Sequence, residues 1–465
     1  MAQRRISHRH KLCPQKRKFS QERYLHVLST HLHSCQFVAL ATSIQVAIVV
    51  TDPTCRTLMN DAISVPPSQR AFIGTSDDTP VAIYVDALFA LALRRRGSDI
   101  HLEPQKHGLT IRLRIDGLLQ HVPSPTPDVA QRLCARIKIM AAMDIAERRL
   151  PQDGRFTTRC DGQPLDLRVS SLPTLWGEKL VLRLVPNDSS VLALTELGLS
   201  DSQHREFLNA LSKPQGLILV TGPTGSGKTL TLYSALQQLN QPHRNISTAE
   251  EPIEIPVTGI NQIGIKPSIG LGFAETLRAL LRQDPDVLMV GEIRDSSTAS
   301  MAIRAAQTGH LVLSTVHTKS ALATLMRLNQ LGLSDRDVAE SVTLILAQRL
   351  LRVLCNHCKV PAGTPIVSSM PRAEDDCFQA NLAGCEHCLQ GYWGRTGVFE
   401  LCQPEALDQE FPHIRGGREN THDLRNMALQ CYLAGKTSLE EVNRVVPAES
   451  GAGVVSREQR SHARL

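Results

Sequence analysis

The sequence predicts an α/β nucleotide-binding domain that follows an α+β domain and precedes a metal-binding cysteine element. Two observations support this prediction: the glycine pattern of a P-loop at residues 222–229 and two Cys-x-x-Cys pairs at 355–358 and 385–388. The chain has 465 residues, enough for roughly two to four domains. Its composition, 42% hydrophobic and 21% charged, is that of a folded globular protein.

The P-loop stretch has the pattern of a strand, a glycine-rich turn and a helix. An apolar run at 217–220 leads into G-x-x-x-x-G-K-[ST], and helical spacing follows at 230–239. The glycines let backbone N–H groups close around phosphates, and the helix N-terminus adds positive potential. The lysine of this pattern reaches the β- and γ-phosphates, and the next hydroxyl holds Mg²⁺. The predicted phosphate- and magnesium-binding residues are Gly222, Pro223, Thr224, Gly225, Ser226, Gly227, Lys228 and Thr229.

Net charge and hydropathy limit which partners, a membrane or a nucleic acid, the sequence favours. The net charge is +6, and eight Lys/Arg fall within residues 1–24, a run typical of a solvated tail. This balance permits contact with an anionic membrane or a nucleic acid without requiring either. Aromatic residues make up only 4% of the chain, which argues against base stacking. The longest apolar stretch, 37–50, is shorter than the ~20 residues of a spanning helix, so we expect a cytoplasmic protein without a transmembrane segment.

The α+β domain is predicted at residues 81–186, after a divergent N-terminal region at 1–78. Ile111, Leu113 and Ile115 alternate with arginines, as in a half-buried strand. The predicted elements are helices at 81–96 and 129–145, strands at 109–117, 165–170 and 178–184, and a turn at 150–156.

Arginines recur on or beside these strands, at Arg112, Arg114, Arg155, Arg168 and Arg183. Each of them alone fits a solvated or salt-bridged sheet residue. Together, and close to a P-loop, they fit a second interpretation, in which they supply positive charge to a transferring phosphoryl group as arginine fingers do.

The nucleotide-binding domain is predicted at residues 214–350, after a linker and helix at 187–213. Buried parallel strands are short, fully apolar runs, whereas helices show a 3.6-residue period. On these criteria we predict strands at 217–220, 245–249, 287–290 and 311–318 and helices at 230–239, 276–282, 297–307 and 320–353.

Acidic residues and a histidine follow the predicted strands. Glu250 and Glu251 come after one strand and Glu292 after the next, where parallel strands end beside the phosphates. Glu250 is the first candidate for polarising the attacking water. Glu292, in a Walker-B-like position, is the second, and it is also the candidate for holding Mg²⁺ through water. His317 lies where a γ-phosphate sensor would, and His310 is a weaker candidate. The alternatives are a solvated acidic turn and structural histidines.

Cysteines define the segment after the nucleotide-binding domain, predicted as a subdomain at 351–405. Cys355 and Cys358 are followed after 26 residues by Cys385 and Cys388, a spacing that indicates tetrahedral Zn²⁺. Four thiolate ligands imply a closed, structural site. His357 and His387 remain alternative ligands. The C-terminal region, 406–465, is predicted to be partly disordered, with one helix at 439–446.

In this order the motifs resemble those of the secretion-superfamily ATPases that power type IV pilus assembly and type II secretion, the PilB, GspE and HofB group. The resemblance covers about residues 81–405, with the HofB-like proteins nearest. The motifs lie at residues 97–104, 114–117, 152–155, 222–229, 250–254, 290–295 and 308–318, with the paired cysteines followed by 394–397.

The resemblance implies a RecA-like core preceded by a PAS-like α+β domain and assembled as a homohexamer. ATP would lie between the two domains of a subunit, and Arg114 and Arg155 correspond to arginine-finger motifs. Hydrolysis would rotate the domains against each other. The protein would pass this motion to an inner-membrane platform protein from the cytoplasmic face of that membrane.

The sequence also leaves other functions open. The family usually has Glu-Asp-Pro where this chain has Glu250-Glu251-Pro252, which suggests a non-catalytic ATP-binding scaffold as one alternative. A nucleic-acid translocase is another, although no basic patch with interleaved aromatic residues favours it. A retraction motor is the third, and the cysteines argue against it because retraction ATPases of this family generally lack them.

Overall fold

The structure is a computed structural model that describes residues 39–42, 45–48, 79–185, 191–362, 377–404 and 423–448. In the first two ranges the backbone forms an antiparallel pair, β1 (Ala39–Thr42) and β2 (Gln45–Ile48). The predicted basic tail and the predicted disorder past residue 448 lie outside the described residues. Within the described part of the chain, no helix combines the length and the apolar character that a membrane crossing requires.

The α+β domain pairs its strands antiparallel and packs its helices against one sheet face. Its elements are α1 (Thr79–Arg94), β3 (Gly97–Gln105), β4 (Gly108–Ile115), β5 (Leu118–Val122), α2 (Pro127–Met140), β6 (Gln152–Cys160), β7 (Gln163–Thr174) and β8 (Gly177–Val185). The strand order is β5-β4-β3-β8-β7-β6. Leu88 of α1, Leu133 of α2 and Leu113 of β4 meet in one core. As predicted, the alternating apolar residues of β4 face this core, so its arginines line the opposite face.

The predicted turn at 150–156 is wrong from Gln152 onward, because β6 begins there and pairs with β7 over nine residues. Pro151 and the Asp153-Gly154 pair resemble turn residues in the sequence. The structure uses Gly154 for another reason: a Cβ there would lie 2.3 Å from the Ala141 carbonyl oxygen. Strand β6 therefore needs glycine to pass the end of α2.

The nucleotide-binding domain surrounds a mostly parallel sheet. Its elements are α3 (Asp201–Ser212), β9 (Gly216–Thr221), α4 (Lys228–Leu239), β10 (Ile246–Glu250), β11 (Asn261–Gly264), α5 (Phe273–Leu280), β12 (Val287–Val290), α6 (Ser296–Gln307), β13 (Leu311–Val316), α7 (Ala321–Gln330), α8 (Asp335–Ser341), β14 (Val342–Leu354) and, after the cysteine segment, β17 (Tyr392–Cys402). The strand order is β11-β10-β12-β13-β9-β14-β17. Alternate residues of β9 enter two different cores, Leu217 and Leu219 on one face and Ile218 and Val220 on the other. Burial on both faces explains why this strand is wholly apolar.

The predicted helix at 320–353 is wrong in its last third. Helices α7 and α8 account for its start, but β14 occupies Val342–Leu354. This strand lies parallel to β9 and antiparallel to β17, and its first seven residues are buried. A leucine-rich run fits a buried helix and a buried strand equally well, and here the two neighbouring strands decide.

The cysteine segment connects two adjacent strands of this sheet. It lies between β14 and β17 and contains the short pair β15 (Val360–Pro361) and β16 (Phe378–Gln379). Two helices follow, α9 (Leu424–Leu433) and α10 (Leu439–Val445), and both pack near β14. The predicted helix at 439–446 is confirmed, whereas the sequence analysis missed α9.

Candidate nucleotide site and tetracysteine centre

The P-loop connects β9 to α4 as predicted, and its glycines are required by geometry. Gly227 has φ +90°, and a Cβ there would lie 2.8 Å from Nε2 of Gln348. Gly222 is equally confined, because its Cβ would lie 2.5 Å from Oγ of Ser226. Both constraints hold the turn tightly against β14. The loop backbone is therefore held in a tight glycine turn, and turns of this kind can cradle phosphate.

Lys228 begins α4 and turns its amine back over the loop. The Nζ atom donates to the carbonyl oxygens of Gly222 at 2.9 Å and Pro223 at 3.1 Å. The residue is only 8% exposed, and this burial lowers the pKa of the amine while the Glu292 charge opposes the shift. Thr224 and Thr229 are exposed, whereas Ser226 is buried with no hydrogen-bond partner for its Oγ among the described residues. The loop thus offers a cation and unused polar groups to a ligand.

His317, just past β13, lies between Lys228 and Glu292. Its Nδ1 is 3.5 Å from Nζ of Lys228, and its Nε2 is 3.4 Å from Oε2 of Glu292. Burial, together with the Lys228 charge, lowers the pKa of His317, so the imidazole is neutral at pH 7. A neutral ring in this position can accept at Nδ1, while its Nε2 faces Oε2 of Glu292 without completing a hydrogen bond. The structure therefore brings three sequence-predicted residues into one chain of contacts.

Glu292 has one engaged oxygen and one unengaged oxygen. Its Oε1 lies 2.6 Å from Nη2 of Arg294, while Oε2 is buried and lacks a hydrogen-bond partner within the described ranges. A buried, unsatisfied carboxylate oxygen beside a P-loop fits the chemistry of Mg²⁺, which prefers oxygen ligands and bound water. Such an ion would neutralise charge on the β- and γ-phosphates.

Glu250 and Glu251 differ in how accessible their oxygens are. Glu250 is buried, and its carboxylate accepts hydrogen bonds from the Tyr233 hydroxyl, from Thr248 Oγ1 at 2.6 Å and from Gln262 Nε2 at 3.0 Å. These bonds occupy both oxygens in the described structure. Glu251 is partly exposed and lies 3.8 Å from Arg294. Of the two neighbours, only Glu251 has an oxygen that is open to solvent.

The arginines of the α+β domain form a row across its sheet. In the strand register, Arg114 faces Asp99, Asp99 faces Arg183, Arg183 faces Arg168, and Arg168 faces Arg155. Four of the five predicted arginines thus lie side by side on the face opposite the core, and we call them the arginine row. Like charges directly opposite one another are unfavourable, so this arrangement depends on carboxylate partners such as Asp99 and Asp166.

Arg168 is the member of the arginine row that reaches the nucleotide-binding domain. Its guanidinium donates to Oε2 of Glu254 at 3.1 Å and to the carbonyl oxygen of Ile253 at 2.6 Å, in the acidic turn after β10. The finger candidates Arg114 and Arg155 have partners within their own domain. Arg114 lies 3.8 Å from Asp99, and Arg155 pairs with Asp166. Each member of the row therefore has a carboxylate partner, and only the partner of Arg168 belongs to the nucleotide-binding domain among the described contacts.

Gln348 on β14 is a site residue that the sequence analysis missed. Its side chain is buried, accepts from Thr231 Oγ1 at 2.8 Å and lies against Gly227. Arg349 follows it, half-buried, and donates to the carbonyl oxygens of Gln348 at 2.9 Å and Lys319 at 2.6 Å. The available signal was a Gln-Arg pair inside an apolar run, which the helix prediction for this segment concealed.

The four predicted cysteine ligands converge. The sulfur atoms of Cys355, Cys358, Cys385 and Cys388 all lie within 4.8 Å of one another. Neighbouring sulfurs are separated by 3.5–3.7 Å. A tetrahedron with Zn–S bonds of 2.3 Å has edges of about 3.8 Å, so this donor set fits zinc. His357 and His387 instead stack on each other, with ring centroids 4.2 Å apart.

A glycine turn between strand and helix, a lysine folded over it, and a carboxylate and histidine from the next strands together define a P-loop ATPase. The chain belongs to the family of type II/IV secretion system proteins, whose family model matches residues 74–444. This match extends over both domains and the cysteine centre.

Curated relatives agree with this family. The chain is 46% identical over 385 residues to the type IV pilus assembly ATPase PilB of Pseudomonas aeruginosa, covering 80% of this chain and 68% of the relative. It is 51% identical over 365 residues to the protein transport protein HofB homolog of Escherichia coli, covering 77% of each. It is 41% identical over 391 residues to the type II secretion system ATPase E of Vibrio cholerae, covering 82% and 78%.

Solved structures support the same fold. The pilus retraction motor PilT with bound ADP aligns with a TM-score of 0.51 and 27% identity over 78% of this chain and 97% of that one. The Legionella pneumophila ATPase DotB aligns with a TM-score of 0.57 at 20% identity over 78% and 95%. The predicted family, α/β fold, ATPase and motor function in pilus assembly or secretion are confirmed. The finer names RecA-like and PAS-like stay predictions.

Proposed function

We propose that the protein is an assembly-type motor, which drives pilus assembly or secretion by hydrolysing ATP with Mg²⁺ at the cytoplasmic face of the inner membrane. The contact chain from Lys228 through His317 to Glu292 is the observation that supports this most strongly. It joins a phosphate-binding lysine to a carboxylate with an unused oxygen. An assembly motor is favoured over a retraction motor by the cysteine centre and by relatives at 41–51% identity, which are named for pilus assembly, protein transport and secretion.

The residue roles follow from the contacts. Lys228 and Thr229 bind the phosphates and Mg²⁺, Glu292 holds Mg²⁺ through water, and His317 senses the γ-phosphate. Glu250 polarises the attacking water only after that water replaces one of its bonds to Tyr233, Thr248 or Gln262. The arginine row, led by Arg168, closes over the phosphates from the α+β domain. Gln substitution at Glu292 should raise the Mg²⁺ concentration needed for half-maximal turnover, and an unchanged requirement would remove that role.

The partners are proposed on the same basis. A ring of six copies would place each nucleotide between domains that move relative to each other, and an inner-membrane platform protein would take up that movement. The cysteine centre would hold one Zn²⁺ as a structural ion.

ATP hydrolysis by the purified, zinc-loaded chain, measured with and without DNA, tests the proposal. We expect turnover that ignores DNA and falls at least a hundredfold in Lys228→Ala, because phosphate binding and charge stabilisation are lost. Unchanged hydrolysis in Lys228→Ala would refute the site. DNA-stimulated, salt-sensitive turnover would indicate a translocase instead. ATP binding without turnover in the unmodified chain would indicate a scaffold.

A further inference from the structure

The turn between β4 and β5 contacts the segment that leaves the cysteine centre. Asp116 in this turn is nearly buried and accepts a hydrogen bond from the Gly394 N–H at 3.1 Å. Its carboxylate also lies 3.2 Å from Nη2 of Arg96 and 3.8 Å from Nε of Arg395. One carboxylate thus joins the α+β domain to the start of β17.

The same junction is closed from the other side by Arg96. Its guanidinium lies over the Trp393 ring, 4.0 Å from the ring centroid, in the geometry of a cation–π contact. Gly394 has φ +86°, and a Cβ there would lie 2.9 Å from Nη1 of Arg96. Glycine is therefore the residue that lets the strand approach the arginine.

Two further features meet at this junction. The interdomain linker pairs with it, because the Gly397 N–H donates to the Leu197 carbonyl oxygen at 3.0 Å. Cys385 and Cys388 lie a few residues upstream, and together with Cys355 they line a cleft of about 740 Å³ between the end of α1 and β17. Asp116 and Arg96 border this cleft and make charged contacts with β17 across this side of the domain boundary.

We propose that Asp116 is a positioning residue, which latches the α+β domain onto Gly394 and Arg395 at the start of β17, the strand that leaves the cysteine centre. The cysteine centre then sets the angle at which the arginine row faces the P-loop. Through this latch, metal binding changes the rate of ATP turnover, although the metal does not contact ATP. The inference rests on the proposed ATPase function, since the arginine row acts only if the nucleotide lies beneath it.

The chain supplies a matched control for Asp116. Asp116-Gly117 and Asp161-Gly162 are equivalent hairpin turns, with φ values of +48° and +89° in the first and +50° and +79° in the second. Asp161 is exposed at the β6–β7 turn. Asp116→Ala and Asp161→Ala therefore make the same change in the same local backbone, and only the first removes the interdomain contact.

Hydrogen exchange and steady-state kinetics on the full, zinc-loaded chain test the latch. In Asp116→Ala we expect faster amide exchange at residues 391–396 and a kcat lowered about fivefold or more, with the KM for ATP within twofold of the unmodified value. Asp161→Ala should match the unmodified chain in amide exchange at residues 391–396, in kcat and in the KM for ATP. Gly394→Ala, which disturbs the same junction from the other strand, should reproduce the Asp116→Ala pattern.

Removal of zinc completes the test. A chelator should lower kcat in the unmodified chain and in Asp161→Ala. It should add little to the loss of kcat in Asp116→Ala, because the contact that couples the metal to turnover is already absent. Equal exchange at 391–396 in both alanine variants would overturn the latch, as would equal chelator effects on kcat. If the unmodified chain hydrolyses no ATP, the ATPase proposal fails, and the exchange data alone decide whether the contact exists.

Discussion

Gln348 shows how a single side chain from another strand stabilises the P-loop. Its amide accepts from Thr231 in the first turn of α4 and lies against Gly227, so it fixes both ends of the loop–helix junction. Buried amides of this kind are costly to leave unpaired, about 1–3 kcal/mol for each lost bond. We therefore expect the residue to act on nucleotide affinity by holding the loop, without touching the nucleotide.

We expect Gln348→Ala to weaken ATP binding by about fivefold to tenfold, since the loop loses a hydrogen bond and a packing surface. Thr231→Val removes the other partner of the same bond while preserving shape. Equilibrium binding of a nucleotide to the two single variants and the double variant measures their coupling. Strictly additive losses would show that the bond does not stabilise the loop.

At the scale of elements, α10 docks on β14 through a buried ion cluster. Glu441 is fully buried, and Arg352 of β14 and Arg444 of α10 both donate to it, at 2.7 Å and 2.6 Å. Burial alone would raise the pKa of Glu441, but the hydrogen bonds from Arg444 and Arg352 outweigh it and lower the pKa to about 2. A carboxyl whose pKa falls on folding stabilises the fold above its ordinary pKa, and this contribution disappears as the pH drops toward 2.

Glu441→Gln should therefore cost about 3 kcal/mol at pH 7, and the difference from the unmodified chain should shrink by about 2 kcal/mol at pH 3. Glu440→Gln, an exposed neighbour on the same helix, is the control and should cost less than about 0.5 kcal/mol. Urea midpoints of both variants at the two pH values measure the effect. A cost that does not change with pH would exclude the carboxylate charge as its source.

The elements also show where sequence reasoning succeeds. Strand β12 and helix α6 were predicted nearly to the residue, because a short apolar run and a 3.6-residue period are local patterns. The P-loop and the cysteine ligands were predicted for the same reason, since fixed spacing carries their chemistry. Strand β14 was missed, because only its neighbours β9 and β17 distinguish a buried strand from a helix. The arginine row likewise depends on strand register, which spacing along one strand does not reveal.

At the scale of the whole molecule, the contact of Arg168 with Glu254 links the arginine row to the nucleotide-binding domain, and we expect it to bring the row toward the phosphates during turnover. Arg168→Ala should lower kcat at least tenfold while leaving ATP affinity nearly unchanged, because arginine fingers stabilise charge that develops during transfer and contribute about 10³-fold or more. Arg159→Ala on the adjacent β6 is the control, since that side chain is exposed. Steady-state turnover measures the effect on kcat, and nucleotide binding measures the effect on ATP affinity. An equal kcat in both variants would argue against a role of the arginine row in turnover.

The cysteine centre lies at the end of an antiparallel hairpin. Leu354 pairs with Tyr392, and one further backbone bond, from the Cys355 N–H to the Gly391 carbonyl oxygen at 2.8 Å, continues the hairpin toward the cysteines. Such a hairpin can in general be closed by a turn of about two residues. The cysteine segment thus adds little to the strand register, although its Cys377 packs in the core of the nucleotide-binding domain. Replacing the segment with a short turn should preserve the register of the nucleotide sheet and keep Gly394 and Arg395 in the chain, while releasing them from the cysteine centre. A chain of this design would separate the ability to hold ATP from the ability to do work with it.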